Sequence, residues 1–279
     1  MAASASSDAV SAPYTSWRSY RFSPYEGKEE GEEVGLLILE GEAGGTSGPG
    51  FFGTFLWPSG ELLAWYLWMN PDVVRGQVVI ELGAGVGLPG LLAARLGAKR
   101  VSITDRADGV AALANVAEAV RANELSSTCD VFPLTWGHFE ELQGDAAHGI
   151  ILGSDLFFSS EHLDSILATV HWLFHWRAPP SAPRRFYVTY QERSPNRSIR
   201  TLLPKWGLVA RAQQLDFLPD YLAQEARFSS LHLLILEMAP VQSDIEDGDV
   251  NDGSCQLEYA APSTQSDAAD LTACGQGPY

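Results

Sequence analysis

The sequence predicts an α/β domain built on an open, mostly parallel sheet covered by helices on both faces. Three observations carry this expectation. From Gln77 onward, short apolar runs alternate with helical segments, the pattern of βαβ units. One apolar run passes into a helix through a glycine-rich loop, VIELGAGVGLPG, residues 79–90. The next apolar run ends on an acid, Asp105, 20 residues after Gly85.

Taken in order, two candidate strands come first, RSYRF and VGLLILE, separated by the polar run SPYEGKEEGEE and followed by the turn-rich GEAGGTSGPG. Trp57-Pro58-Ser59 then opens a helix, with Ser59 as its expected cap and Leu62, Leu63, Tyr66 and Leu67 on one face. QVVIEL reads as a buried strand and LPGLLAARL as the helix after it. RVSIT is a second strand, GVAALANVAEAVRANE a long helix, DVFPL a third strand and GIILGS a fourth. HLDSILATVHWLFHW is a helix, RFYVTY a fifth strand and PNRSIRTLLPKW a further helix. GLVARAQQL and SSLHLLILEM close the domain as an antiparallel pair at one edge, with no helical pattern between them.

Charge is unevenly spread along the 279 residues. Residues 1–50 carry 8 acidic and 3 basic side chains, residues 241–279 carry 8 and none, and residues 51–240 carry 19 and 15. The net charge of −17 therefore resides mostly at the ends. Polar composition marks 1–15 and 241–279 as disordered. Between them, 16–50 forms a β addition with a flexible linker and 51–240 the main domain. An acidic chain without a basic stripe is poorly suited to direct nucleic-acid binding and better suited to a basic partner. Three cysteines with no CxxC point to a reducing compartment, and the most apolar window is broken by Pro58, Gly60 and Glu61, so no membrane segment is expected.

In an open α/β sheet, ligands bind beyond the carboxyl ends of the strands, where strand order reverses. Gly83, Gly85 and Gly87 permit tight turning and a close backbone approach, so a ligand is expected across this loop. The spacing of Gly85, Gly87 and Gly90 also fits a dinucleotide site, but the chain has no Tyr-x-x-x-Lys pair and no Gly-Lys-Ser/Thr. Asp105 is placed to accept hydrogen bonds from ribose hydroxyls. Glu81 either complements a cationic ligand or bonds the amides of its own loop.

VIELGAGVGLPG followed by SITD resembles the S-adenosylmethionine loop of class I methyltransferases. FLWPSGELLAWYLW, LTWGH, SDLFF and YVTYQERS follow the family's order, and together these motifs resemble the seven-strand protein methyltransferases of the family 16 group over roughly Arg18 to Met238. The resemblance implies a Rossmann-like seven-stranded sheet and S-adenosyl-L-methionine as cofactor. It assigns Trp57 to the methionine part, Trp136 to the adenine, and Glu81, Gly83, Ala84, Gly85, Gly87, Asp105 and Ser154 to the remainder of the cofactor.

The same resemblance singles out Asp155, at the end of the fourth strand, as the catalytic residue that orients an acceptor nitrogen. Phe157 and Phe158 would wall the acceptor pocket, and Tyr190 would meet the protein substrate. The family often carries Tyr where this chain has Phe158, and the double-glutamate loop of other arginine methyltransferases is missing; Glu161, six residues beyond Asp155, is the nearest substitute. Most family members with established targets modify lysine, whereas the branch resembled here is linked to histone arginine methylation. The expected activity is therefore methyl transfer to a side-chain nitrogen, arginine of a basic, histone-like protein first and lysine second, in cytoplasm and nucleus. An oxidoreductase or a non-catalytic binding module remains as the rival reading. His171 and His175, four apart on a helix, lack a third ligand in the sequence, and no metal is expected.

Overall fold

The computed structural model describes residues 15–23, 33–41, 52–139, 147–176, 184–193 and 199–240. The expected disorder of 1–15 and 241–279, and the linker after residue 41, lie outside the described residues except at Thr15. β1 (Thr15–Phe22) and β2 (Val34–Gly41) form a separate antiparallel pair. Alternate residues of this pair, Tyr20, Phe22, Leu36 and Ile38, are buried. Phe22 meets Trp65 edge-on at 5.3 Å on α1 (Pro58–Met69). The helix begins at Pro58 with Trp57 as its cap residue and no side-chain capping bond, so Ser59 is not the expected cap. Proline at the first position needs no N–H there and presets the helical φ. Ser59 is buried instead, and its carbonyl accepts a 2.7 Å hydrogen bond from the hydroxyl of Thr189.

β3 (Val78–Leu82), α2 (Leu88–Arg95), β4 (Arg100–Asp105), α3 (Val110–Ala122) and β5 (Cys129–Pro133) follow as βαβ units. Then come β6 (Ile150–Ser154), α4 (Leu163–His175), β7 (Arg185–Gln191), β8 (Leu208–Ala212), α5 (Asp220–Phe228) and β9 (Leu231–Met238). Seven strands share one sheet in the order β5-β4-β3-β6-β7-β9-β8. The pairings from β5 to β7 are parallel, and β9 runs antiparallel between β7 and β8.

Strand alternation divides the core. Val79 faces the cluster formed with α1, α2 and α3, while Ile80 and Leu82 face the cluster formed with α4. Glu81 therefore projects toward α2.

Two elements differ from the sequence expectation. α5 separates the closing strands, where no helix was expected; Leu222 and Ala226 are its only fully buried residues, too few for a helical period to stand out. Residues 199–206 form two short 3₁₀ turns rather than a helix, because Pro204 cannot donate within one; residues 195–198 lie outside the described residues.

Gly153 lies inside β6, where a Cβ would sit 2.5 Å from Leu156 Cδ1 and 2.9 Å from Phe186 Cε2. Gly153→Ala is expected to cost about 1–3 kcal/mol through overpacking, read as a lower urea midpoint. An unchanged midpoint would contradict this packing.

Candidate active site

Strand order reverses between β3 and β6: β4 and β5 lie on one side, β7, β9 and β8 on the other. The crevice beyond these two strand ends is the place where an open sheet receives a ligand. Leu156 fills the space between them. Its Cδ2 lies 2.5 Å from where a Cβ of Gly83 would be, and its Cδ1 is equally close to that of Gly153. Gly83 also has φ of 59°, so both space and conformation exclude a side chain.

The second glycine has a different neighbour. At Gly85 a Cβ would meet the carbonyl oxygen of Gly53 at 3.2 Å, because the 3₁₀ turn Phe52–Thr54 lies across the loop. The chain's own atoms thus account for the missing side chains at Gly83 and Gly85, and the glycine spacing by itself does not require a ligand. Ala84 is buried, its N–H donating to the Thr104 carbonyl at 2.9 Å, and Gly87 precedes α2 in the left-handed conformation.

Asp105 closes the loop from the neighbouring strand. Its Oδ2 accepts from the Gly85 N–H at 2.8 Å and its Oδ1 from the Arg106 N–H at 2.7 Å. Burial pushes its pKa above the ordinary value, and the two amides oppose that shift. Each oxygen retains a lone pair for a further donor.

Glu81 does not line the crevice. It is 0% exposed beneath the loop, where Oε2 accepts from the Gly90 N–H at 3.0 Å and Oε1 has no hydrogen-bond partner. Between the two readings open from sequence, this is the geometry of a carboxyl holding its own loop. Strand alternation is the cause, since it turns residue 81 toward α2. Burial raises its pKa to about 8, partly offset by the Gly90 amide and reinforced by Asp105.

Trp136 is buried against Gly83, with Cζ2 3.1 Å from that glycine's Cβ position. The Arg106 guanidinium lies 5.9 Å above the indole, and His162 meets it edge-on at 5.5 Å. Arg106 is itself held by both oxygens of Asp108 and by His162 Nε2 at 2.9 Å. Sequence reading missed Arg106 and His162; Arg106's position directly after Asp105 is the signal that could have found it. Trp57, 42% exposed, stands at the start of α1, whose Gly60 has Ser154 Oγ 3.5 Å from its Cβ position.

Asp155 follows β6 with φ 52° and ψ 31°, a left-handed conformation that Asp tolerates better than most residues. Its N–H donates to the Thr189 carbonyl at 2.7 Å. The guanidinium of Arg193 grips its carboxylate with both prongs, Nη1 to Oδ1 at 2.9 Å and Nη2 to Oδ2 at 2.6 Å. Arg193 belongs to the YQER stretch noted in the sequence, but its pairing with Asp155 was missed. The signal is register: Ser154 and Thr189 are partners on neighbouring parallel strands, so the chain beyond each emerges at the same rim.

Phe157 is buried and meets Tyr190 edge-on at 6.0 Å, whereas Phe158 is 44% exposed. The two are not one wall: only Phe158 faces solvent at the rim. Glu161 is exposed, with its N–H 3.4 Å from Ser159 Oγ. His171 Nδ1 lies 2.8 Å from the Trp206 carbonyl and His175 Nδ1 2.7 Å from that of His171. Among the described residues, no group of three potential ligands could hold a metal ion, and no helix is long and apolar enough to cross a membrane. A polar cavity of about 490 Å³, lined by Arg21, Leu37 and Asn123, lies near the end of α3, away from the strand ends that form the crevice.

The sheet order, the reversal at β3/β6 and the acid-closed glycine loop define a class I S-adenosylmethionine-dependent methyltransferase. Residues 42–200 match the protein family described as lysine methyltransferase, family 16, and the chain belongs to that family. Over 158 residues it is 39% identical to the histone-arginine methyltransferase METTL23 of Rattus norvegicus, covering 56% of this chain and 68% of that protein. The Mus musculus METTL23 matches at the same 39%, with 60% of its length covered. The protein N-lysine methyltransferase METTL21A of Danio rerio is 37% identical over 119 residues, covering 42% of this chain and 54% of that protein. The chain thus spans between about half and two thirds of these relatives. Among solved structures, an S-adenosylmethionine-dependent methyltransferase from Aquifex aeolicus is 13% identical, covering 66% of this chain and 94% of that chain with a TM-score of 0.47.

The protein is an S-adenosylmethionine-dependent protein methyltransferase. Its residues fit that cofactor: an acid with free lone pairs stands beside the glycine loop, and the cations Arg106 and Arg193 at the rim are each matched by a carboxylate.

Glu81 makes a prediction in pH. Its raised pKa stabilises the fold at low pH, and that contribution is lost as pH rises from about 4.5 to about 8. Buried His148, lowered from 6.5 to about 4, has the opposite slope below 6.5. Between pH 6.5 and 8 only Glu81 of these two acts, so stability should fall by at most about 2 kcal/mol there. Glu81→Gln should flatten that window in urea unfolding; an equal slope in both proteins would contradict the buried neutral carboxyl.

Proposed function

We propose that this protein transfers the methyl group of S-adenosylmethionine to an arginine side-chain nitrogen of a histone or another basic protein. The observation that carries this reading is the fit at Asp155, whose carboxylate accepts a guanidinium through both oxygens at 2.9 and 2.6 Å. The relatives bearing the name histone-arginine methyltransferase support it, as does a net charge of −17 that favours encounter with a basic partner. A histone target would place the protein in the nucleus, and another basic target would place it in the cytoplasm.

The cofactor supplies an activated methyl group, and the chain supplies orientation and dryness. Arginine remains charged in proteins, with a pKa above about 12, and its planar fork matches a carboxylate two bonds at a time. Asp155 held in this way fixes the plane of the acceptor and takes the proton that its nitrogen sheds as the methyl group arrives; Phe158 stands exposed at the rim, and Phe157 packs beneath it. Such positioning is worth roughly 7–11 kcal/mol when geometry is right. Asp105 would hold the ribose hydroxyls, with Gly83, Ala84, Gly85 and Gly87 forming the floor. Trp57, Trp136 and Ser154 would flank the remainder, and Tyr190 would meet the protein substrate. Glu81 would act only through the loop it secures.

A lysine acceptor is the second reading. It is favoured by the family's description and by the METTL21A relative. Arg193 neutralises Asp155, and a pocket without net charge disfavours an ammonium and so helps a lysine to lose its proton.

Incubation with tritiated cofactor and basic proteins, followed by mass spectrometric mapping, is expected to place the label on arginine; label on lysine alone would overturn the first reading. Asp155→Asn is expected to lower kcat/KM at least about a hundredfold while cofactor affinity, measured by calorimetry, changes less than about tenfold. Equal activity would remove Asp155 from the reaction.

A further inference from the structure

The side chain of Asp155 is only 12% exposed, and both of its oxygens are already engaged by Arg193, whose side chain is 32% exposed. Resting on the reading of Asp155 as the acceptor-facing carboxylate, we propose that Arg193 is an internal stand-in for the acceptor and sets its specificity, because only another guanidinium replaces it fork for fork.

Specificity depends on what remains when Arg193 departs. A largely buried carboxylate left without its cation loses two charge-assisted hydrogen bonds and regains little from water. A substrate guanidinium restores both bonds and the charge, so the exchange is close to balanced. A lysine ammonium restores the charge as a compact point donor without the two-pronged geometry. An arginine nitrogen passes its proton to Asp155 only as the N–CH₃ bond forms, whereas lysine must be neutral before it attacks, and a neutral amine does not compensate the charge of Asp155. The tethered competitor thus discriminates by penalising the wrong acceptor rather than by favouring the right one. Two other cations are engaged elsewhere: Arg106 is bound to Asp108 and His162, and Lys205 to Asp164. Arg193 follows β7, and the neighbouring Glu192 N–H is fixed to the Ser230 carbonyl at 3.0 Å, which holds this chain end at the rim.

A tethered group competes at an effective concentration on the order of millimolar, and a ligand's apparent affinity falls by the fraction of molecules in which the site is released. Titration of the full chain with ethylguanidinium chloride and n-butylammonium chloride, read by NMR without cofactor, tests the proposal. Arg193→Ala is expected to bind ethylguanidinium at least about tenfold tighter than the natural chain, with a smaller gain for n-butylammonium. Asp155→Asn added to Arg193→Ala is expected to remove the gain. Equal affinity in the natural chain and Arg193→Ala, or a gain that survives Asp155→Asn, would overturn the proposal. Should Arg193→Ala fail to fold, Arg193→Lys carries the test: a gain for ethylguanidinium supports it and none overturns it. A label mapped to lysine alongside a guanidinium gain in Arg193→Ala would remove the arginine reading and the specificity role, while keeping Arg193 as the occupant of Asp155. Label on arginine without that gain would remove the stand-in and keep the function.

Discussion

Leu156 is the side chain on which the geometry of the crevice depends. One isobutyl group fills the space that two glycines leave at the ends of β3 and β6, the two strands between which sheet order reverses. A side chain at Gly83 or Gly153 would collide with it. The left-handed turn at Asp155 brings Leu156 back over the strand ends. The turn that lets a leucine plug the sheet therefore also fixes where the neighbouring aspartate stands. Packing and chemistry are coupled here through one backbone conformation, whose cost of roughly 1–2 kcal/mol must be met by the burial of Leu156 and by the Thr189 hydrogen bond.

Around this plug the charged groups of the rim are partnered. Asp105 is held by loop amides, Arg106 by Asp108 and Arg193 by Asp155. Glu81, buried beneath the loop with one amide partner and no cation, is driven toward its neutral form. On the proposed reading, discrimination at Asp155 falls to shape, because its carboxylate already receives a planar fork through both oxygens. The acidic excess of the chain lies mostly toward the ends of the sequence, and such charge favours encounter with a basic protein.

Much of the fold was legible because its strands are continuous apolar runs and most of its helices are long enough to show a period. α5 was not, since a nine-residue helix with two fully buried positions carries little pattern. The start of α1 was misjudged because Pro58 supplies the helix entry that Ser59 was expected to cap. The residues at the strand ends could be listed from the sequence, but their contacts could not. Asp105, Asp155 and the glycine loop lie at the carboxyl ends of the neighbouring parallel strands β4, β6 and β3. The reason for the glycines was not legible: they make room for Leu156 and for the backbone of Gly53, both brought in from other parts of the chain. The inward turn of Glu81 followed from strand alternation and could have been read. The Arg193 pairing required knowing that β6 and β7 are neighbours, which no local pattern reveals.

The most direct measurement is a crystal structure of the full chain with S-adenosylhomocysteine and an arginine-bearing histone-tail peptide. The account requires the peptide guanidinium on both oxygens of Asp155, with Arg193 displaced. Arg193 still gripping Asp155 while the acceptor nitrogen approaches the cofactor from elsewhere would contradict it.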